Sequence, residues 1–218
     1  MSPHHSGAGA AHGPAEPAGK DLDGCSVLIG VCGGIAAYKT CAVVSALAQR
    51  GAAVTVAMTE SAARFVTPLT FESLAGRAVI TSHWDSSLDR TARTDPQHIR
   101  LAGSLDAALV APCTMSMLAR LAHGLADDAV TLLLAAIDQQ RVPVLLAPSM
   151  NQTMLRQPST RRNLQQLAGD GYRIIDAASG WQACRTVGEG RLPEPADLLA
   201  ALDHALRGRT VKPRTAGT

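Results

Sequence analysis

The sequence predicts an α/β chain, a parallel sheet covered by helices on both faces, and three observations carry that expectation. Short apolar runs alternate with segments of helical spacing along most of the chain, and strands alternating with helices make a parallel sheet with right-handed crossovers. The run Val144-Leu145-Leu146-Ala147 is apolar at consecutive positions, as a strand buried on both faces requires. A chain of 218 residues with 46% hydrophobic content is long enough to bury one substantial core.

In order, residues 1–24 mix Gly, Ala, Pro, His and charge without apolar periodicity and read as a disordered leader. His4 and His5 have no third ligand beside them and read as solvated tail. From residue 26, "SVLIGVCGG" reads as a strand closing on glycines, and "IAAYKTCAVVSALAQRG" as a helix stopped at Gly51. The unit repeats as "AAVTVAMT" with "SAARFVTPLTFESLAG", as "AALVAPC" with "TMSMLARLAHGLADDAVTLLLAAI", and as "VPVLLAPS" with "NQTMLRQPSTRRNLQQLAGDG", before a last strand in "YRIID". Residues 81–98 are poor in apolar side chains and read as an active-site or subunit-contact loop ending at His98. "AASGWQACRTVGEGRLPEP" is again too long for a simple connector. "ADLLAALDHALRG" reads as the closing helix, and residues 208–218 as a flexible tail. One Rossmann-like (flavodoxin-like) domain over residues 25–207 is the expectation.

Composition excludes several classes of function. A net charge of +2 with 3% aromatic residues gives neither a basic stripe nor stacking platforms for nucleic acid. No apolar run reaches the roughly 20 residues that span a bilayer, so no membrane partner and a cytoplasmic location are expected. The five cysteines lack CxxC or His/Cys zinc spacing. Cys25, Cys32, Cys41 and Cys113 read as small core residues, and no metal site is expected.

Polar residues gather where strands end. Pro148 stops the fourth strand because it has no N–H for the ladder, so Asn151 sits just past a carboxyl end, where open parallel sheets bind ligands. By itself Asn151 reads first as a turn former or helix cap. "GVCGGIAAYK" combines glycines, which let backbone approach a phosphate, with a helix start, yet lacks both the GxGxxG spacing and the Walker lysine pattern. Thr59 and Ser61 stand at a second strand end, and Thr114 and Ser116 at a third. A flavin or nucleotide pocket and simple helix capping both fit these residues.

Taken together, "GVCGGIAAYK", "MTESAARFVTPLTFESLAG", "HI" at His98, "APCTMSMLARLAHGLADD", "APSMNQTM" and "GWQACRTVGEGRL" resemble the homo-oligomeric flavin-containing cysteine decarboxylases. That family includes phosphopantothenoylcysteine decarboxylase and the decarboxylases of peptide C-terminal cysteines. The resemblance runs in unbroken order from about residue 26 to residue 206. It implies FMN at the subunit contacts of a homotrimer or homododecamer, and a peptide or small-molecule cysteinyl substrate. It matches His98 to the catalytic histidine, Asn151 to the asparagine of "P-x-M-N-x-x-M", and Cys184 to the flap cysteine of the coenzyme A branch. Gly34, Thr59, Thr114 and Ala147 match FMN-lining regions, and Ser116 and Met154 join Asn151 as substrate contacts.

The chemistry expected follows from cysteine itself, which has no β-carbonyl to accept the charge of a departing carboxylate. Oxidation at the thiol-bearing carbon creates a C=S sink, and decarboxylation then gives an enethiolate. His98 is assigned the thiol proton, Asn151 the carboxylate, and Cys184 the proton that accompanies reduction of the enethiol in the coenzyme A branch. Arg185, Thr186 and Ser116 depart from the coenzyme A pattern, where Gly, Asp and Asn are usual. The chain also ends without the ligase domain usual in bacterial coenzyme A versions, and carries 17 Arg against 3 Lys, a bias typical of GC-rich genes. The first expectation is therefore oxidative decarboxylation of a peptide's C-terminal cysteine, giving the enethiol precursor of aminovinyl-cysteine. Phosphopantothenoylcysteine decarboxylase in coenzyme A biosynthesis is the second. A flavin-binding regulatory subunit without turnover is the alternative of another class, and prenyl transfer fits less well because "MNQTM" and "QAC" are retained.

Overall fold

Five parallel strands in the order β2-β1-β3-β4-β5 organise the molecule. They are β1 (Ser26–Val31), β2 (Ala53–Met58), β3 (Ala107–Cys113), β4 (Val144–Pro148) and β5 (Arg173–Ile174). The computed structural model describes residues 20–82, 97–183 and 185–207. The helices are α1 (Ala37–Gln49), α2 (Pro68–Ala75), α3 (Gln97–Ser104), α4 (Met115–Ala122), α5 (Ala129–Ala135), α6 (Gln152–Leu155), α7 (Pro158–Gly169) and α8 (Pro195–Leu206). No helix among the described residues is long and apolar enough to cross a membrane.

Successive side chains of the central strands point to opposite faces, and both faces are buried. Val27, Ile29 and Val31 of β1, with Leu109 of β3 and Leu145 of β4, enter one core with Val43, Val44 and Leu47 of α1, Phe71 of α2 and Leu198 and Leu202 of α8. Leu28, Val110 and Leu146 enter the other, with Leu118 of α4, Leu134 of α5 and Leu167 of α7. The predicted α/β class and parallel sheet are what the structure has. Pinning across the layers adds to burial: Thr40 Oγ1 of α1 donates to the Ala111 carbonyl of β3 at 2.7 Å, a fully buried bond.

Proline subdivides two predicted helices. After β2 a 3-10 turn at Ala62–Arg64 precedes α2, which begins at Pro68. After β4 the short α6 is separated from α7, which begins at Pro158. Proline suits a first helical turn and interrupts a longer helix because its N–H is missing. His98 belongs to α3 and does not close a loop, while residues 83–96 of the expected loop lie outside the described residues. The expected leader also needs shortening: Lys20–Gly24 form a turn, Leu22 is buried in the core, and Asp21 pairs with Arg50. The 177–195 segment, too long for a simple connector, holds an antiparallel hairpin of β6 (Ala178–Trp181) and β7 (Val187–Arg191), which the sequence pattern did not indicate.

Leu109→Ala, at a fully buried position of the central strand, is expected to lower stability by about 2–5 kcal/mol. The urea midpoint should fall at unchanged m-value.

Candidate functional site

The strand order reverses direction between β1 and β3. The chain leaves β1 for α1 on one face of the sheet and leaves β3 for α4 on the other, so the loops at these two carboxyl ends part and leave a crevice. A cleft of about 370 Å³ occupies it, lined by Cys32, Gly33, Gly34, Thr59, Ser61, Thr114, Ser116, Arg120, Asp128, Ser149, Met150 and Met154, among others. Gly33 is sterically required there: an added Cβ would lie 2.4 Å from Ser61 Cβ. The loops after β1 and β2 therefore touch through a residue without a side chain.

Two hydroxyls of this cleft are placed by bonds to backbone N–H groups and keep a donor. Thr114 Oγ1 accepts from Met117 N at 3.3 Å, and Thr59 Oγ1 accepts from Ala62 N at 3.2 Å. A hydroxyl that accepts still has its O–H to give. Arg120 pairs with Asp128 at 3.2 Å, and Asp128 also caps α5 by accepting from Val130 N and Thr131 N. Burial pushes the Cys32 thiol up to about 12, and burial likewise pushes the Cys113 thiol well up. Both remain neutral thiols at physiological pH, and act as packing beneath the cleft.

A second cleft of about 400 Å³ adjoins the first and shares Gly34, Ser149 and Met150 with it; its wall includes Tyr38, Lys39, Asn151, Trp181, Gln182 and Arg191. Asn151 is at once a cap and a wall residue. Its Oδ1 accepts from Thr153 N at 2.8 Å at the start of α6, which commits the oxygen to backbone and sets the plane of the amide. The amide's two N–H donors are on its other end.

The hairpin is stitched to the Asn151 loop. Met150 N donates to the Gly190 carbonyl at 2.9 Å, and the buried Gln182 amide donates to the carbonyls of Glu189 at 2.7 Å and Met150 at 3.4 Å. Gly190 has φ +110, and an added Cβ would lie 2.2 Å from Met150 O. Only glycine allows that approach. Lys39, buried on α1, donates to Glu194 Oε1 at 2.9 Å and to the Leu192 carbonyl at 3.4 Å, and Arg191 binds the same Oε1. The Lys39 bond, with Arg191 adding to it, holds the Glu194 carboxyl below its usual range.

Comparison with known proteins follows the same lines. The model of the family described as "Flavoprotein" matches residues 16–207. The chain belongs to the flavoprotein family. It is 44% identical over 181 residues to the coenzyme A biosynthesis bifunctional protein CoaBC of Vibrio cholerae, covering 83% of this chain and 44% of that protein. Against CoaBC of Bacillus subtilis it is 41% identical over 195 residues, 88% of this chain and 46% of that protein. This flavoprotein thus spans about half the length of the curated relatives that it matches. Among solved structures, a PPC decarboxylase variant complexed with pantothenoylaminoethenethiol superposes with a TM-score of 0.73 at 26% identity, covering 83% and 97% of the two chains. The FMN-dependent cysteine decarboxylase SpaF superposes at 0.68 and 28% identity, covering 84% and 98%.

Of the residues singled out from sequence, Gly34, Thr59, Thr114, Ser116 and Met154 line the first cleft and Asn151 the second. Ala147 is fully buried in the core, and its strand reaches the cleft through Ser149 and Met150. His98 is half-buried near the start of α3 and lines neither of these two clefts. Cys184 lies outside the described residues. Three of the four cysteines read as core are buried, while Cys41 is only partly so. Lys39, Arg120, Asp128 and Gln182 line the clefts without having been singled out. The one signal for Lys39 was its place inside "GGIAAYK".

Gly190→Ala is expected to cost about 1–3 kcal/mol and to release the hairpin, read as faster proteolytic cleavage within residues 178–191. Glu194 binds its proton less readily in the folded than in the unfolded chain, so its stabilising contribution is present at neutral pH. It is lost as pH falls below the ordinary glutamate value of about 4.3. Glu194→Gln should remove that acid dependence from the same proteolysis assay.

Proposed function

We propose that this flavoprotein binds FMN and decarboxylates phosphopantothenoylcysteine, the reaction that yields phosphopantetheine in coenzyme A biosynthesis. The observation that carries this reading is the 44% identity to CoaBC over 83% of the chain. Identity to SpaF, on the cysteine decarboxylase side of the structural comparison, is 28%. The peptide substrate expected first from sequence is therefore the second reading, favoured by Arg185 and Ser116 at the flap and pocket.

The first cleft suits FMN chemically. Hydroxyl donors at Thr59, Ser61 and Thr114 and the close-set backbone at Gly33 and Gly34 suit a phosphate ester, and Met150 and Met154 offer soft apolar contact to a flat ring. The chemistry FMN supplies when bound is two-electron oxidation at the thiol-bearing carbon, which sets the carboxylate β to a C=S group so that carbon dioxide can leave. Asn151 holds that carboxylate by its N–H₂, a neutral donor that orients the group without opposing its departure as a full cation would. His98 takes the thiol proton. Because His98 lines neither described cleft of its own chain, we assign it to the Asn151 cleft of a neighbouring copy in a homotrimer or homododecamer. The exposed apolar side chains Ile35, Tyr38, Phe65, Leu69 and Ile99 supply surface for such contacts. Cys184 donates the proton that accompanies reduction of the enethiolate to the saturated thiol, for which the two electrons taken up by the flavin would be returned, so that no net oxidation remains.

Mass spectrometry of the purified yellow protein, incubated separately with phosphopantothenoylcysteine and with short peptides ending in cysteine, tests the reading. Loss of carbon dioxide alone, from the former only, is expected; loss of carbon dioxide plus two hydrogens from a peptide would transfer the assignment to the second reading. His98→Asn should retain flavin absorbance and lose about 10²–10⁴-fold in turnover. Cys184→Ser should accumulate the enethiol.

A further inference from the structure

The tip of the β6–β7 hairpin holds a backbone conformation its residue does not favour. Gln182 O accepts from Arg185 N at 2.9 Å, and Gln182 N donates to Thr186 O at 2.8 Å. These two bonds close the hairpin between Gln182 and Thr186, and the position just before the returning strand of such a turn takes φ above zero and favours glycine. Arg185 stands there at φ +64, and among the described residues every other positive-φ position is a glycine. A long cationic side chain kept in a left-handed conformation points to a use for the side chain that outweighs the strain.

The surroundings indicate what that use is. Trp181, Gln182 and Ala183, immediately before the loop tip, line the cleft beside Asn151. Lys39 and Arg191 line the same cleft, no carboxylate is among its described lining residues, and both cations share the single Oε1 of Glu194 behind it. The cleft therefore carries excess positive charge. Arg185 is exposed, and among the described residues its guanidinium has no ion-pair or hydrogen-bond partner. A guanidinium presents paired N–H donors that match the oxygens of a phosphate or carboxylate.

We propose that Arg185 is a specificity-determining residue that recognises a second anionic group on the cysteinyl substrate, a phosphate or carboxylate distinct from the carboxylate that is lost. The inference rests on the decarboxylase reading above, and it assigns selection among substrates, not the chemical step, to this residue.

The test compares the flavin-loaded wild-type protein with Arg185→Gly and Arg185→Lys. The substrates are phosphopantothenoylcysteine against pantothenoylcysteine, and peptides ending Glu-Cys against peptides ending Gln-Cys. In one of the two pairs, Arg185→Gly is expected to lower the preference for the anionic member about tenfold in kcat/KM. The loss should fall mainly in KM, with Arg185→Lys intermediate. Added salt should weaken the wild-type preference and leave that of Arg185→Gly nearly unchanged. Thermal stability of Arg185→Gly should equal or exceed wild type, since glycine accepts the left-handed conformation. A preference shift confined to the phosphate pair supports the inference together with the coenzyme A substrate. A shift confined to the peptide pair supports the inference and removes that substrate. Equal loss on both members of each pair, or no change in either preference, overturns it. Turnover of none of the four substrates by the wild-type protein overturns the decarboxylase reading and the inference with it.

Discussion

Burial of β1, β3 and β4 on both faces is the constraint on which the rest of the structure depends. Strands covered twice by apolar side chains can satisfy their backbone only within the ladder, so polar groups are pushed to the strand ends. At the carboxyl ends that leaves Gly33, Thr59, Thr114 and Asn151 in consecutive loops, and the departure of α1 and α4 to opposite faces opens the space between them. The cleft is a consequence of how two buried faces are wound, and its chemistry comes from the residues that such winding leaves uncovered.

The same residues shape the local backbone and line the clefts. Thr114 and Asn151 are helix caps by their hydrogen bonds, and capping fixes the orientation of both side chains. Gly33 is demanded by Ser61 across the loop, and that closeness also brings backbone to the cleft floor. Capping and ligand binding were rival readings of these positions in the sequence; in the folded chain the capping residues also line the clefts.

The β6–β7 hairpin is coupled to the Asn151 loop through a backbone bond, the Gln182 amide and the shared Glu194 carboxylate. Movement of one therefore strains the other. The hairpin is tied at its base, where Lys39 of α1 holds it through Glu194 and the Leu192 carbonyl. Its alternating glycines explain why it did not read as strands: Gly180, Gly188 and Gly190 supply close approaches and positive φ instead of the β-branched pattern that marks a hairpin.

Local pattern alone was enough to determine the α/β class, the parallel strands, the polar strand ends and the proline that stops β4, because periodicity, proline and glycine act over a few residues. The ordered motifs were enough for the family. Tertiary structure decided what no local window contains. It brought Lys39 from α1 to Glu194 before α8, set Gln182 beneath Met150, buried Ala147 while leaving Ser149 half-buried at the clefts, and left His98 off both described clefts. Each of these depends on which elements pack side by side, a matter of long-range contact that the spacing of residues along the chain does not encode.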